Sequence, residues 1–268
     1  MKSSRIISIV HNNRELSVDT AKDLKEKLSS LGYLVSYTLE KKAELIVSIG
    51  GDGTFLKALR EHNFPDIPIV GINTGHLGFF TEITPEELDY LISKYIAKDY
   101  SIQEITPIKS IICAKSSCIK IMGINEIVIK GNKSHVIHLD IYVDNNLVQH
   151  FSGDGILIST STGSTAYNYS AGGSIIDPSL DVLQITPLAP INTNVYRSFT
   201  SSIILPSNAV IKVIPEYYFE SSLVIVIDGV EHRYNNITEV GTRLANRKIK
   251  MLRLEDFEFW SRVTSKFL

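Results

Sequence analysis

The chain has 268 residues, 44% of them hydrophobic, with 27 Lys and Arg against 29 Asp and Glu. That length and apolar content suit one large core or two ordinary ones and exclude a disordered chain. The near-neutral balance argues against a general nucleic-acid binder, and no run approaches the ~18 apolar residues of a membrane span.

The apolar part of the opening "MKSSRIISIVHNN" is too short for a signal peptide, so a soluble, cytoplasmic protein is expected. "RIISIV" predicts a first strand. "ELSVDTAKDLKEKLSSLG" then places Val18, Ala21, Leu24, Leu28 and Leu31 at helical spacing, with Gly32 as a stop. "YLVSYTL", "ELIVSI" and "IPIVGIN" predict further strands. The helical stretch "TFLKALREH" opens directly after the turn "GGDG". At "TPEELDYLISKYIAK", Thr84, Pro85 and Glu87 make a capping box before a stripe of Leu88, Leu91, Ile92 and Tyr95. Strands alternating with helices predict a Rossmann-like α/β domain, residues 1–98, on a mostly parallel sheet.

Beyond residue 98 the period changes from helical to alternating. Cys113 and Cys118 fall short of a zinc site or a disulfide framework and read as ordinary thiols in a reducing compartment. Ile137, Leu139, Ile141 and Val143 alternate with polar neighbours up to a turn at Asp144-Asn145-Asn146. "SIILPSNAVIKVIPE" and "SSLVIVIDGVEHRY" behave likewise, the latter with a hairpin turn at Asp228-Gly229. This predicts an all-β sandwich over residues 99–249. The tail, residues 250–268, carries Phe257, Phe259, Trp260, Val263 and Phe267 and is expected to dock on the first domain as a short helix.

Chemistry gathers at two glycine-rich stretches. In "SIGGDGTFLKAL" a strand, a glycine turn and a helix N-terminus make an anion site, because free backbone N–H groups point outward. It lacks the third glycine of a dinucleotide fingerprint and the Lys-Ser/Thr of a P-loop. Asp52 is the odd member, since a carboxylate beside phosphate needs a metal to hold or a proton to accept. Both roles stay open. The second stretch, "GDGILISTSTGSTAYNYSAGG", combines five glycines with a density of hydroxyls suited to a polar ligand. "GINEIVIKG" lies between the two, with Asn125 and Glu126 at a strand start.

Together "GGDGTFL", "NTGHLGF", "NE", the long Ser/Thr-rich stretch and "ITPLAPINTNVYRS" resemble the NAD kinase family over nearly the full length. The resemblance implies an α/β domain and a β-sandwich with ligand between them, and transfer of the γ-phosphoryl group of ATP to the 2′-hydroxyl of NAD's adenosine ribose. Asp52 would contact that hydroxyl as proton acceptor, and Gly53 would lie close to phosphate. Asn125 and Glu126 would hold the adenosine part, and Asp154 and Ala189 the nicotinamide-ribose end. Residues 162–170 would shape the adenine pocket: Thr162, Thr165, Ala166, Tyr167, Asn168, Tyr169 and Ser170.

A divalent metal, magnesium, is the expected charge neutraliser, and Lys57 a further phosphate contact. His76 reads as a loop residue. Ser152 stands where many members carry a basic residue, and Ser161 where proline is usual, which predicts a looser loop there. The family also implies a homo-oligomer, tetramer or dimer, built through the sandwich. Apolar strands such as "SSLVIVI", with an exposed face in a monomer, would support that, the contact falling near Asp154 or residues 192–197. Other readings are a lipid or other alcohol kinase sharing the GGDG turn, or a non-catalytic nucleotide sensor.

Overall fold

The protein is described by a computed structural model that covers residues 5–76, 78–115, 117–132, 135–216, 222–254 and 258–267. Phe257, expected in the tail, and Leu77 of "NTGHLGF" lie outside the described residues. Two compact units are present: residues 1–105 with 248–268, and residues 106–247.

The first unit is built on a six-stranded mixed sheet. Its order is Leu34–Ser36, Ile6–His11, Leu45–Gly50, Ile69–Asn73, Ile249–Arg253 and Ser101–Ile105. The first five are parallel neighbour to neighbour, and Ser101–Ile105 pairs antiparallel at the edge. The Leu45–Gly50 and Ile69–Asn73 strands are buried at every residue, as a sheet covered on both faces requires. Helix Glu15–Ser30 buries Ala21, Leu24 and Leu28 against them, but Leu31 falls past the last turn and is exposed. Gly32 stops that helix at φ 84°, with the Tyr33 N–H closing back on the Leu28 carbonyl. The capping box forms, the Thr84 N–H donating to Glu87 Oε2 at 2.8 Å. The turn it caps is 3₁₀ over Pro85–Glu87 before helix Leu88–Ala97 begins.

The second unit packs two six-stranded antiparallel sheets face to face. One runs Asn146–Gly153, Ile137–Val143, Ile211–Pro215, Ile237–Leu244, Ile108–Ala114, Cys118–Gly123. The other runs Ile203–Pro206, Val182–Leu188, Gly155–Thr160, Glu126–Gly131, Ser222–Ile227, Val230–Asn235. Alternate residues of both sheets form one core, among them Ile137, Leu139 and Ile141 in the first and Ile129, Ile156 and Ile225 in the second.

Both hairpin turns form, with left-handed pairs Asp144-Asn145 (φ 48° and 67°) and Asp228-Gly229 (φ 45° and 76°). Two expectations are corrected. Cys113 and Cys118 are not free thiols: hairpin register sets them opposite one another, and they form a disulfide. Strand Ser222–Ile227 does not leave an open apolar face either, because Leu223, Val224, Ile225 and Ile227 are buried, while Ile204 and Val210 of "SIILPSNAVIKVIPE" stay exposed.

Phe151 is 1% exposed in this core and packs near Phe199. Phe151→Ala should cost about 3–5 kcal/mol, read as a lower urea midpoint. A loss below about 1 kcal/mol, well under that range, would mean that the two sheets do not meet there.

Candidate functional site

In the first unit the strand Leu45–Gly50 ends in the glycine turn, and helix Asp52–Glu61 begins at Asp52. Asp52 is half-buried, and its carboxylate accepts two backbone hydrogen bonds, from Phe79 N–H (2.9 Å) and Phe80 N–H (3.0 Å). The side chain comes so close to residue 78 that a Cβ there would sit 1.9 Å from Oδ1. Gly78 of "NTGHLGF" is therefore explained by room for Asp52. Phe80 stacks on Phe55, one turn along the helix from Asp52, with ring centroids 5.0 Å apart.

The loop that supplies those N–H groups is itself held. Arg262 Nη1 donates to the carbonyls of Gly78 (2.7 Å) and Thr81 (2.6 Å), and Arg253 Nη2 to that of Phe79 (3.4 Å). Glu82 pairs with Arg253 at 2.9 Å and with Arg262 at 3.6 Å. Burial pushes the Arg253 guanidinium down to about 10, against the pull of Glu82, which leaves it charged at neutral pH. Next to the turn lies a groove of about 710 Å³ lined by Asn12, Arg14, Gly51, Gly53, Thr54 and Lys57 among others. Lys57 is exposed and 3.7 Å from Glu61, and His76 is exposed on the loop.

In the second unit Asn125 and Glu126 are buried at the start of strand Glu126–Gly131. Asp228, at the hairpin turn, accepts from Ile124 N–H and Asn125 N–H, both at 2.8 Å, and from Glu126 N–H at 3.4 Å. The 3₁₀ turn Thr162–Thr165 lies directly on this strand start, where a Cβ on Gly163 would be 2.1 Å from the Asn125 carbonyl oxygen. Two acceptors, Asn125 Oδ1 and Glu126 Oε2, are buried without a hydrogen-bond partner. Such orphans mark a place where a ligand or a proton is wanted. Burial, then the Asp228 charge, raises the Glu126 carboxyl to about 8.

The remaining expected residues surround that start. Asn168 is fully buried, bonded to the carbonyls of Ser164 and Ser174 and to Thr186 Oγ1, so it supports the loop from beneath. Thr162, Thr165 and Ala166 are half-buried, and Tyr167, Tyr169 and Ser170 are exposed. Asp154 and Tyr167 share a cavity of about 340 Å³ with Lys130, His135, Glu231 and Arg233. Ala189 is exposed at φ 43°, beside Gly153, where a Cβ would be 2.8 Å from its carbonyl. The loop at Ser161 is not loose: its hydroxyl donates to the Leu180 carbonyl and accepts from Val182 N–H. Ser152 is buried, its hydroxyl hydrogen-bonded with His138 Nδ1 at 2.8 Å.

Sequence reasoning missed Asp228, Glu82, Arg253 and Arg262. Asp228 was legible only as a turn residue, and the arginines carried no local signal.

A glycine turn opening a helix whose first residue is a carboxylate held by two loop N–H groups, with a hydroxyl-rich sandwich unit, suits a nucleotide-handling phosphotransferase. The model of the ATP-NAD kinase N-terminal domain matches residues 8–100, and that of the ATP-NAD kinase C-terminal domain matches residues 124–253. An NAD kinase of Finegoldia magna is 39% identical over 99% of both chains. NAD kinase 1 of Oceanobacillus iheyensis is 36% identical over 94% of this chain and 97% of its own. The chain belongs to the ATP-NAD kinase family. In fold it is similar to a yeast NADH kinase solved with NADH (TM-score 0.82, 21% identity, 98% of this chain and 87% of that one). It is also similar to an Archaeoglobus fulgidus NAD kinase solved with ATP (TM-score 0.78, 23% identity, 97% and 98%).

A carboxyl raised from 4.5 to about 8 holds its proton in the folded state across a range where the unfolded chain has lost it. Its contribution to stability is present below about pH 4.5 and is lost as pH rises through 8. The melting temperature of the ligand-free protein should therefore fall between about pH 5.5 and about pH 9 by more than that of Glu126→Gln. Equal falls in the two proteins would show that Glu126 ionises normally.

Proposed function

We propose that this protein transfers the γ-phosphoryl group of ATP to the 2′-hydroxyl of the adenosine ribose of NAD, giving NADP. The observation that carries this reading is Asp52, a carboxylate aimed by two N–H groups beside a groove lined with glycine and cations. A ribose hydroxyl is a poor nucleophile at neutral pH, so a positioned carboxylate that takes its proton assists attack on phosphorus. Family membership over both units favours NAD over a lipid alcohol, and an aimed carboxylate favours catalysis over sensing.

In this reading the groove along Asn12, Arg14, Gly53, Thr54 and Lys57 takes the ATP phosphates at the helix N-terminus. Asn125 and Glu126 read the adenosine with the acceptors left unpaired, and Asp154 and Ala189 take the nicotinamide-ribose end. Thr162, Thr165, Ala166, Tyr167, Tyr169 and Ser170 shape the adenine pocket, with Asn168 as its support. Magnesium fits the donor set, since it needs few protein carboxylates when substrate phosphates supply the other ligands. Substrate phosphates would hold most of the ion's coordination, and the ion would neutralise their charge.

The C-terminal segment is read as docked on the first unit through Phe259 and Phe267 against Phe79. A homo-oligomer is proposed through the sandwich, where Val195, Tyr196, Leu147 and Val148 are exposed around the edge strand Asn146–Gly153. Among the described residues no helix is long and apolar enough to cross a membrane. We place the protein in the cytoplasm.

The test is Asp52→Asn with ATP, magnesium and NAD, coupled to an NADP-specific dehydrogenase. Loss of a positioned base should lower kcat by about 10³-fold, within the usual range of 10²–10⁴, with NAD affinity little changed. Retention of more than a tenth of wild-type kcat would remove Asp52 as the base.

A further inference from the structure

We propose that Arg262, on the C-terminal helix Phe259–Phe267, is a positioning residue for phosphoryl transfer. It acts through the backbone of residues 78–81, and the proposal rests on the reading of Asp52 as proton acceptor.

The chain of contact is short. Asp52 has its two oxygens bonded to the N–H groups of Phe79 and Phe80. Rotation or retreat of that loop turns the carboxylate with it. The loop carbonyls point the other way, and one nitrogen of Arg262 joins Gly78 to Thr81, bracketing both N–H donors. Thr81 Oγ1 closes the same turn by accepting from Gly78 N–H at 3.2 Å. The Arg262 side chain is 18% exposed, and its helix meets the Phe79 ring through Phe259 at 5.9 Å and Phe267 at 6.1 Å. A helix far along the sequence thus fixes the aim of a residue at the start of another.

Arg262 is the informative position. Loss of Arg253 would strand Glu82, which is 8% exposed, as a buried charge, and would mix folding with aim. Glu82 keeps Arg253 when Arg262 is removed.

The experiment compares Arg262→Ala and Arg262→Lys with the full-length protein, alone and with Asp52→Asn. Misplacement by about an ångström costs on the order of 10²-fold. Arg262→Ala should therefore lower kcat about 10- to 100-fold, with the KM values for NAD and ATP within about threefold. Arg262→Lys should fall between, and added guanidinium should restore part of the Arg262→Ala rate. In the Asp52→Asn background Arg262→Ala should cost nothing more, because no carboxylate remains to be aimed.

A folded Arg262→Ala enzyme with kcat within twofold of wild type, while Asp52→Asn is inactive, overturns the positioning role alone. An active Asp52→Asn enzyme overturns the base reading instead. If Arg262→Ala does not fold, Arg262→Lys decides by the same kcat criterion. Loss of kcat that guanidinium does not restore and that adds fully to Asp52→Asn also overturns it, as a merely structural effect.

Discussion

Two peptide N–H groups on one carboxylate are the constraint around which the first unit is arranged. Hydrogen bonds to a charged group contribute about 1.5–3 kcal/mol each, enough to select one rotamer of Asp52 over the alternatives. They do so only if the loop that donates them is as firm as the helix that carries the acceptor. The firmness comes from Glu82, Arg253 and Arg262 behind the loop. A buried ion pair is a poor source of net stability, but breaking one costs about 3–5 kcal/mol. Its value here is that it has one geometry.

The sandwich unit solves the same problem with the roles exchanged. In the first unit a loop grips a carboxylate; in the second a carboxylate, Asp228, grips a loop by three successive N–H groups. The backbone of Asn125 and Glu126 is thereby satisfied while Asn125 Oδ1 and Glu126 Oε2 stay free of partners. The Asp228 charge that orders the turn also helps to raise the Glu126 carboxyl. Order and a retained proton are two effects of one side chain.

Local chemistry was legible in the sequence wherever local forces decide. Gly32 at its positive φ, the Thr84–Glu87 box and the two hairpin turns depend on a few adjacent residues. Long-range pairing was not legible. Residues 250–268 read as a tail with a helix, yet Ile249–Arg253 is a strand between Ile69–Asn73 and Ser101–Ile105. The cysteines read as thiols because spacing does not reveal which residues a hairpin sets opposite each other. Asp52 stood out as an isolated carboxylate among glycines, whereas Arg262 looked like any charge on an amphipathic helix. Its partners are carbonyls, which carry no sequence signature.

Three motif glycines are explained by close approach rather than by unusual dihedrals, whereas Gly51 and Gly53 have open space where a Cβ would stand. Gly78, Gly163 and Gly173 have no positive φ, but a Cβ would meet Asp52, the Asn125 carbonyl and the Asn168 amide at 1.9, 2.1 and 2.2 Å. Each of these neighbours is a polar group whose position bears on the site. A side chain at any of the three would displace the group rather than strain the glycine's own backbone. At these three positions the missing side chain is therefore a condition for a polar group to take its place, and such a condition is set by a contact rather than by the glycine's own dihedrals.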